Sequence, residues 1–176
     1  MAKTAKRKSP PPAKSYCKRA VRLGALHAKI IEPAHVPTAE WVRLKCQYGC
    51  GGYGERLTCP PRSPTPDQTR RLLDGYRHIL LIHTARGGMA KKIAAELERE
   101  AFLDGHYKAF ALGCGPCSRC KSCKLEKGCV HPRLARPAME ACGIDVFATA
   151  RGAGLPLETV ATRDETANYY SLLLIE

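Results

Sequence analysis

A chain of 176 residues, 44% hydrophobic and 26% charged, has the size and composition of one globular domain with an appendage, which excludes wholesale disorder. Its longest uninterrupted apolar runs, such as Ile79-Leu80-Leu81-Ile82 and Leu172-Leu173-Leu174-Ile175, have four residues, whereas a membrane-spanning helix needs about 20. The net charge is +13, but residues 1–22 hold eight basic groups and no acid, so the remaining chain carries only +5.

Residues 1–15, basic and containing Pro10-Pro11-Pro12, read as a disordered tail. They lack the apolar core of a secretory signal. Such a tail makes weak, salt-dependent contact with nucleic acid, or keeps the chain solvated. The expected domain is then 16–176.

Along that domain, 16–26 suits a helix with Ala20, Leu23 and Leu26 on one stripe, and 28–32 a strand ended by Pro33. The prolines and glycines between 33 and 66 predict a loop without long regular structure, carrying Cys46, Cys50 and Cys59. Thr65-Pro66 reads as a helix start, with the helix running through Leu73. Residues 78–84 form a strand apolar on both faces, as buried parallel strands are.

Met89, Ile93, Leu97 and Ala101 recur every four residues, which predicts a helix over 89–103. A strand follows over 107–112, and strand, helix and strand together read as a right-handed βαβ unit. Short helices at 133–141 and 145–152 and a strand at 169–175 complete the chain. The expected fold class is α/β: a single small domain, an about four-stranded, mainly parallel sheet with packed helices, and two cysteine-rich metal-binding loops.

Ten cysteines without a secretory signal point to a reducing, cytoplasmic setting, where clustered thiols serve metals or catalysis more often than disulfides. The series Cys114, Cys117, Cys120, Cys123 and Cys129 places sulfurs every third residue, then one farther on. Ferredoxin-type loops wrap a [4Fe–4S] cubane with this spacing; zinc knuckles bring two separated pairs together across a spacer. The first four cysteines allow two phases, and we take Cys117, Cys120, Cys123 and Cys129 as ligands. His131, two residues after Cys129, is an alternative donor.

The earlier set, Cys46, Cys50 and Cys59 followed by Pro60-Pro61, has three thiols. Three thiolates leave one iron of a cubane open, unless Cys142 or Cys114 closes it. Cys17 reads as a packing residue.

Two stretches carry a family resemblance. Val42-Arg43-Leu44-Lys45-Cys46 with Cys50, Tyr53-Gly54 and Thr58-Cys59-Pro60-Pro61 forms the first. Gly115-Pro116-Cys117, Cys120, Cys123, Cys129 and Pro132, then Arg136-Pro137-Ala138-Met139-Glu140-Ala141, forms the second. Together they resemble the predicted metal-binding proteins called domain of unknown function 2284. The resemblance implies metal binding and iron–sulfur clusters, and favours the Cys117 phase, since Cys114 departs from the family pattern.

The function expected is that of a soluble iron–sulfur protein with one or two [4Fe–4S] clusters. It would transfer electrons, or perform redox or Lewis-acid chemistry at the three-cysteine cluster, with a redox partner protein or a small-molecule substrate. The alternatives are a zinc-stabilised nucleic-acid-binding module using the tail, and a metal or cluster carrier.

Overall fold

The structure, a computed structural model, describes residues 9–162 and 164–176. Residues 1–8 of the expected tail lie outside the described residues. From residue 9 the chain lies near the domain: Pro10 sits beside Gly105, and His106 Nε2 donates to the Pro11 carbonyl at 2.9 Å.

Among the described residues four strands form one sheet: β1 (His27–Ile31), β2 (Ile79–Thr84), β3 (Phe110–Leu112) and β4 (Tyr169–Leu174). Their order is β1-β2-β4-β3, and every pairing is antiparallel. His27 faces His83, Ile79 faces Leu174, and Phe110 faces Leu174. This corrects the mainly parallel sheet. The β2-helix-β3 unit exists, but β4 is inserted between its two strands, so neither touches the other. A strand apolar on both faces reports that both faces are covered; it does not report the direction of its neighbours.

Both faces are indeed covered. Leu80, Ile82 and Leu173 face α1 (Ser15–Arg22) and α4 (Gly87–Leu103), meeting Tyr16, Ala20, Ile93 and Leu97. Ile79, Leu81, Leu172 and Leu174 face the opposite layer. That layer contains Leu73 of α3 (Pro66–Leu73), Ala150 of α5 (Val146–Gly152), and Met139, Cys142 and Ile144. The period-two alternation of each strand divides its apolar residues between the layers.

Local chemistry explains the helix ends. Thr65 and Gln68 form a reciprocal capping box with Pro66 in the first turn of α3. Asp145 caps α5 through the Ala148 amide at 2.9 Å. In α4 the buried stripe is Ala90, Ile93, Ala94, Leu97 and Ala101, with the expected Met89 on its exposed margin. α1 ends at Arg22, so Leu26 is not on its stripe but stands exposed before β1.

Two segments differ from expectation. The 33–66 region contains a ten-residue helix, α2 (Glu40–Gly49). Its prolines and glycines cluster outside residues 38–48, leaving that stretch free to coil. The expected helix at 133–141 is absent apart from a 3₁₀ turn, Glu140–Cys142, because Pro137 breaks the run. Among the described residues no helix is long and apolar enough to cross a membrane.

Candidate metal centre

The chain leading into helix α2 is pinned to residues 143–145 by an antiparallel bridge between Thr38 and Ile144. The Asp145 amide donates to Pro37 O at 2.9 Å, and the Ala39 amide donates to Gly143 O at 2.8 Å. One turn farther on, Arg43 Nη1 reaches the Ala141 carbonyl at 3.1 Å, Ser63 Oγ at 3.1 Å and Pro64 O at 2.8 Å. Ser63 Oγ itself donates to Ala141 O at 2.6 Å. A single guanidinium therefore ties together three chain segments: the helix that carries Cys46, the turn after Cys59, and the residue after Glu140.

The 3₁₀ turn at 140–142 is seated just as firmly. Thr69 Oγ1 donates to Cys142 O at 2.7 Å. Gly143 follows at φ +76°, where any Cβ would come within 2.4 Å of the Pro66 ring. Both the left-handed backbone and the close approach demand glycine there.

With this frame in place, Cys46, Cys50 and Cys59 line one cavity of about 710 Å³. Cys46 Sγ lies 3.9 Å from the Glu140 carbonyl oxygen, and Cys50 Sγ accepts from the Gly52 amide at 3.4 Å. Cys59 is buried and Cys50 exposed. Burial pushes the Cys46 thiol up, and Cys50, Glu140 and Cys59 nearby add to it. Burial likewise raises Cys59, against a hydrogen bond from Thr58. Beyond the sulfurs the cavity wall is largely apolar, with Trp41, Ile144, Phe147, Leu157 and Tyr170 among its residues.

The second loop leaves the sheet at the end of β3 and returns through a bridge between Gly113 and Ala138. The Gly113 amide donates to Pro137 O, and the Met139 amide to Gly113 O, both at 2.8 Å. An ion pair braces this neck. Arg136 Nε lies 2.6 Å from Glu98 Oε2, Arg136 Nη2 pairs with Glu98 Oε1, and Glu98 Oε2 also accepts from the Ala111 amide at 2.8 Å.

Within the loop, Cys117, Cys120, Cys123 and Cys129 are all half-buried, and the His131 amide points at Cys129 Sγ at 3.4 Å. The His131 residue itself is exposed. Arg56 Nη1 donates to Cys120 O at 2.9 Å, and Cys117 is near enough to Cys59 to disfavour its thiolate. Gly115 and Pro116 line the same cavity as Cys46, Cys50 and Cys59. The two cysteine loops are therefore neighbours, although 55 residues separate Cys59 from Cys114 in the chain.

The other thiols are placed differently. Cys142 is 1% exposed within the apolar layer under the sheet, and its pKa is pushed up to about 12 by burial. Cys114 Sγ donates to Gly87 O at 3.3 Å, and burial raises it to about 11. Cys17 packs at the edge of the α1–α4 layer. All ten cysteines are free thiols. Among the described residues, no three His, Cys, Asp or Glu side chains stand close enough to hold a metal ion. The loops thus bring the thiols into one region without drawing them onto a single point.

A family model described as Predicted metal-binding protein (DUF2284) matches residues 29–175. The chain belongs to this family. The matched region of this DUF2284 protein takes in the whole sheet apart from the first two residues of β1, both cysteine loops and the 140–145 segment, and leaves α1 outside. No curated protein and no solved structure matches the chain.

Sequence reasoning passed over Glu140 as a site residue. It lies in the Arg136–Ala141 stretch that carries the family resemblance, but its spacing relates it to no cysteine. Its Oε2 is shut off from solvent and has no hydrogen-bond partner, and it lines the cavity with Cys46, Cys50 and Cys59. Burial raises its carboxyl, against the pull of its own amide, the Gly115 amide and Lys91.

Proposed function

We propose that this protein binds [4Fe–4S] clusters, one in each cysteine loop, and that the Cys46/Cys50/Cys59 site works on a small molecule held in the adjoining cavity. The observation that carries this reading is the meeting of three thiols of one loop on an apolar cavity of about 710 Å³. That volume lies within the range of ordinary ligand pockets.

The donor set fits a cluster. Thiolates are the ligands that iron–sulfur centres take, and amides already aimed at Cys50 and Cys129 sulfurs are the groups that tune such centres. Because burial raises the Cys46 and Cys59 thiols, binding a metal there releases protons. Drawing the thiols together orders loops that otherwise bury little. When bound, a cubane supplies electrons or, at an iron not held by thiolate, a Lewis-acidic position.

The chain's own residues divide the remaining work. Cys117, Cys120, Cys123 and Cys129 would hold a closed cluster; the Cys114 bond to Gly87 supports that phase. Cys46, Cys50 and Cys59 would hold the other, with the wall of Ile144, Phe147 and Leu157 excluding water and shaping the substrate. The proximity of the two loops supports electron passage from a redox partner through the second site to the first. A cytoplasmic location accords with ten reduced thiols.

Anaerobic purification with iron, acid-labile sulfide and zinc analysis tests the reading. We expect about eight irons per chain with both loops filled, and about four with one. Stoichiometric zinc without sulfide would overturn the cluster reading and restore the zinc alternative.

A further inference from the structure

We infer that the Glu140 carboxylate is the fourth protein ligand of the metal centre held by Cys46, Cys50 and Cys59; this rests on the metal-binding reading above. The sequence alone leaves that position open or assigns it to Cys142 or Cys114.

Four observations converge on Glu140. Its Oε2 is buried without a hydrogen-bond partner, a state that costs free energy unless a proton or a cation meets the oxygen. Among the described residues no cationic side chain forms an ion pair with it. Lys91 is the cation that acts on it, yet Lys91 Nζ is engaged by Pro116 O at 2.6 Å. Glu140 also lines the cavity that the three thiols line, and Cys46 Sγ is 3.9 Å from its carbonyl.

The backbone that presents Glu140 is held to the cysteine segments by Arg43 and Ser63. The carboxylate is thus fixed to the same frame as Cys46 and Cys59. The rival thiols are accounted for elsewhere: Cys142 is packed in the core and Cys114 is bonded to Gly87.

An oxygen among three thiolates gives the site a defined chemistry. Thiolates are the soft ligands that iron–sulfur clusters select, and a carboxylate is a harder one. The Glu140 position is then the one that a substrate in the cavity displaces, while Cys46, Cys50 and Cys59 keep the centre in place. This makes the site closed at rest and open when its ligand arrives.

The test compares wild-type protein with Glu140→Gln, Glu140→Cys and Cys46→Ser, all prepared anaerobically. Metal content and the EPR spectra of oxidised and reduced protein are read with and without added cyanide. Glu140→Gln should lose about one iron per chain and show a three-iron signal when oxidised, with the second-loop signal unchanged. Glu140→Cys should keep full iron and no longer respond to cyanide, whereas wild type responds.

If Glu140→Gln and Glu140→Cys both match wild type in iron and spectrum while Cys46→Ser loses the first centre, Glu140 is not a ligand and the inference fails alone. If Cys46→Ser also matches wild type, the first loop holds no metal and the reading beneath it fails as well. Should Glu140→Gln prove insoluble, Glu140→Cys decides the matter by the same cyanide response.

Discussion

Arg43 Nη1 stands 3.1 Å from the carbonyl oxygen of Ala141, joining a helix in the first third of the chain to a turn in its last third. The same nitrogen bonds Ser63 Oγ and Pro64 O. These bonds, and not the cysteines themselves, bring Cys46, Cys59 and Glu140 to one cavity before any metal binds. Three predictions concern the cysteine loops and their frame, and two concern the scaffold and the tail.

Replacing Arg43 by Met keeps much of the side-chain bulk and removes the staple. Hydrogen bonds from a charged donor contribute about 1.5–3 kcal/mol, so a loss on the order of 2 kcal/mol in urea unfolding is expected. Iron in the first loop should fall while second-loop iron stays. An Arg43→Met protein with full iron in both loops would show that the staple does not organise the site.

Replacing Cys120 by Ser removes one of the four thiolates proposed for the second loop. Between Gly113 and Ala138 that loop has little regular structure, so metal should contribute much of its order. Limited proteolysis should cut the variant within 114–136 far faster than wild type. Equal resistance would mean that the Glu98–Arg136 neck orders the loop unaided.

That neck can be tested directly. The Arg136 and Glu98 side chains are 17% and 13% exposed, and breaking such a pair leaves an uncompensated charge, at a cost of about 3 kcal/mol. Glu98→Gln should lower thermal stability and speed amide exchange at Gly113 and Met139. The Arg151–Glu158 pair, 53% and 82% exposed, is the control: Glu158→Gln should cost under about 1 kcal/mol.

A pH dependence resides in the sheet. His83 is 2% exposed; its Nδ1 lies 2.9 Å from His27 Nδ1 and its Nε2 lies 2.7 Å from Asn168 Oδ1, with the Tyr170 ring stacked on it. Burial holds the imidazole below its ordinary value, against the Asn168 bond, and His27 lowers it further. The folded state therefore favours neutral His83, while the unfolded chain takes a proton below about pH 6.5. Its contribution is present above that pH and lost as pH falls through the lower folded value. Unfolding free energy should drop between about pH 7.5 and 5, and His83→Gln should flatten that slope; an unchanged slope would place the titration elsewhere.

For the tail, deleting residues 1–8 should leave metal content and thermal stability unchanged. Any affinity for nucleic acid should fall with the deletion and weaken steeply with salt. Deleting residues 1–15 should also lower stability, since it removes the Pro11 carbonyl bonded to His106 and the first residue of α1. Salt-insensitive binding by the shorter chain would contradict the electrostatic role.

The local features were legible in the chain. Thr65-Pro66 with Gln68, the repeat from Ile93 to Ala101, and the apolar runs of β2 and β4 each state their structure within a few residues. Cysteine spacing marked both loops in the same way, because the thiols of one loop lie close together in the sequence.

What only the tertiary structure decided were relations between distant segments. Strand direction was one: Ile79–Thr84 is buried on both faces whichever way its neighbours run, and the entry of β4 between β2 and β3 is a choice of packing made nearly 90 residues later. Glu140 was the other. No periodicity links it to Cys46; it meets the cysteines because Arg43, Ser63 and Gly143 hold its backbone there. A side chain acquires its partners from the fold when they lie 94 residues apart, and no local pattern can encode such a meeting.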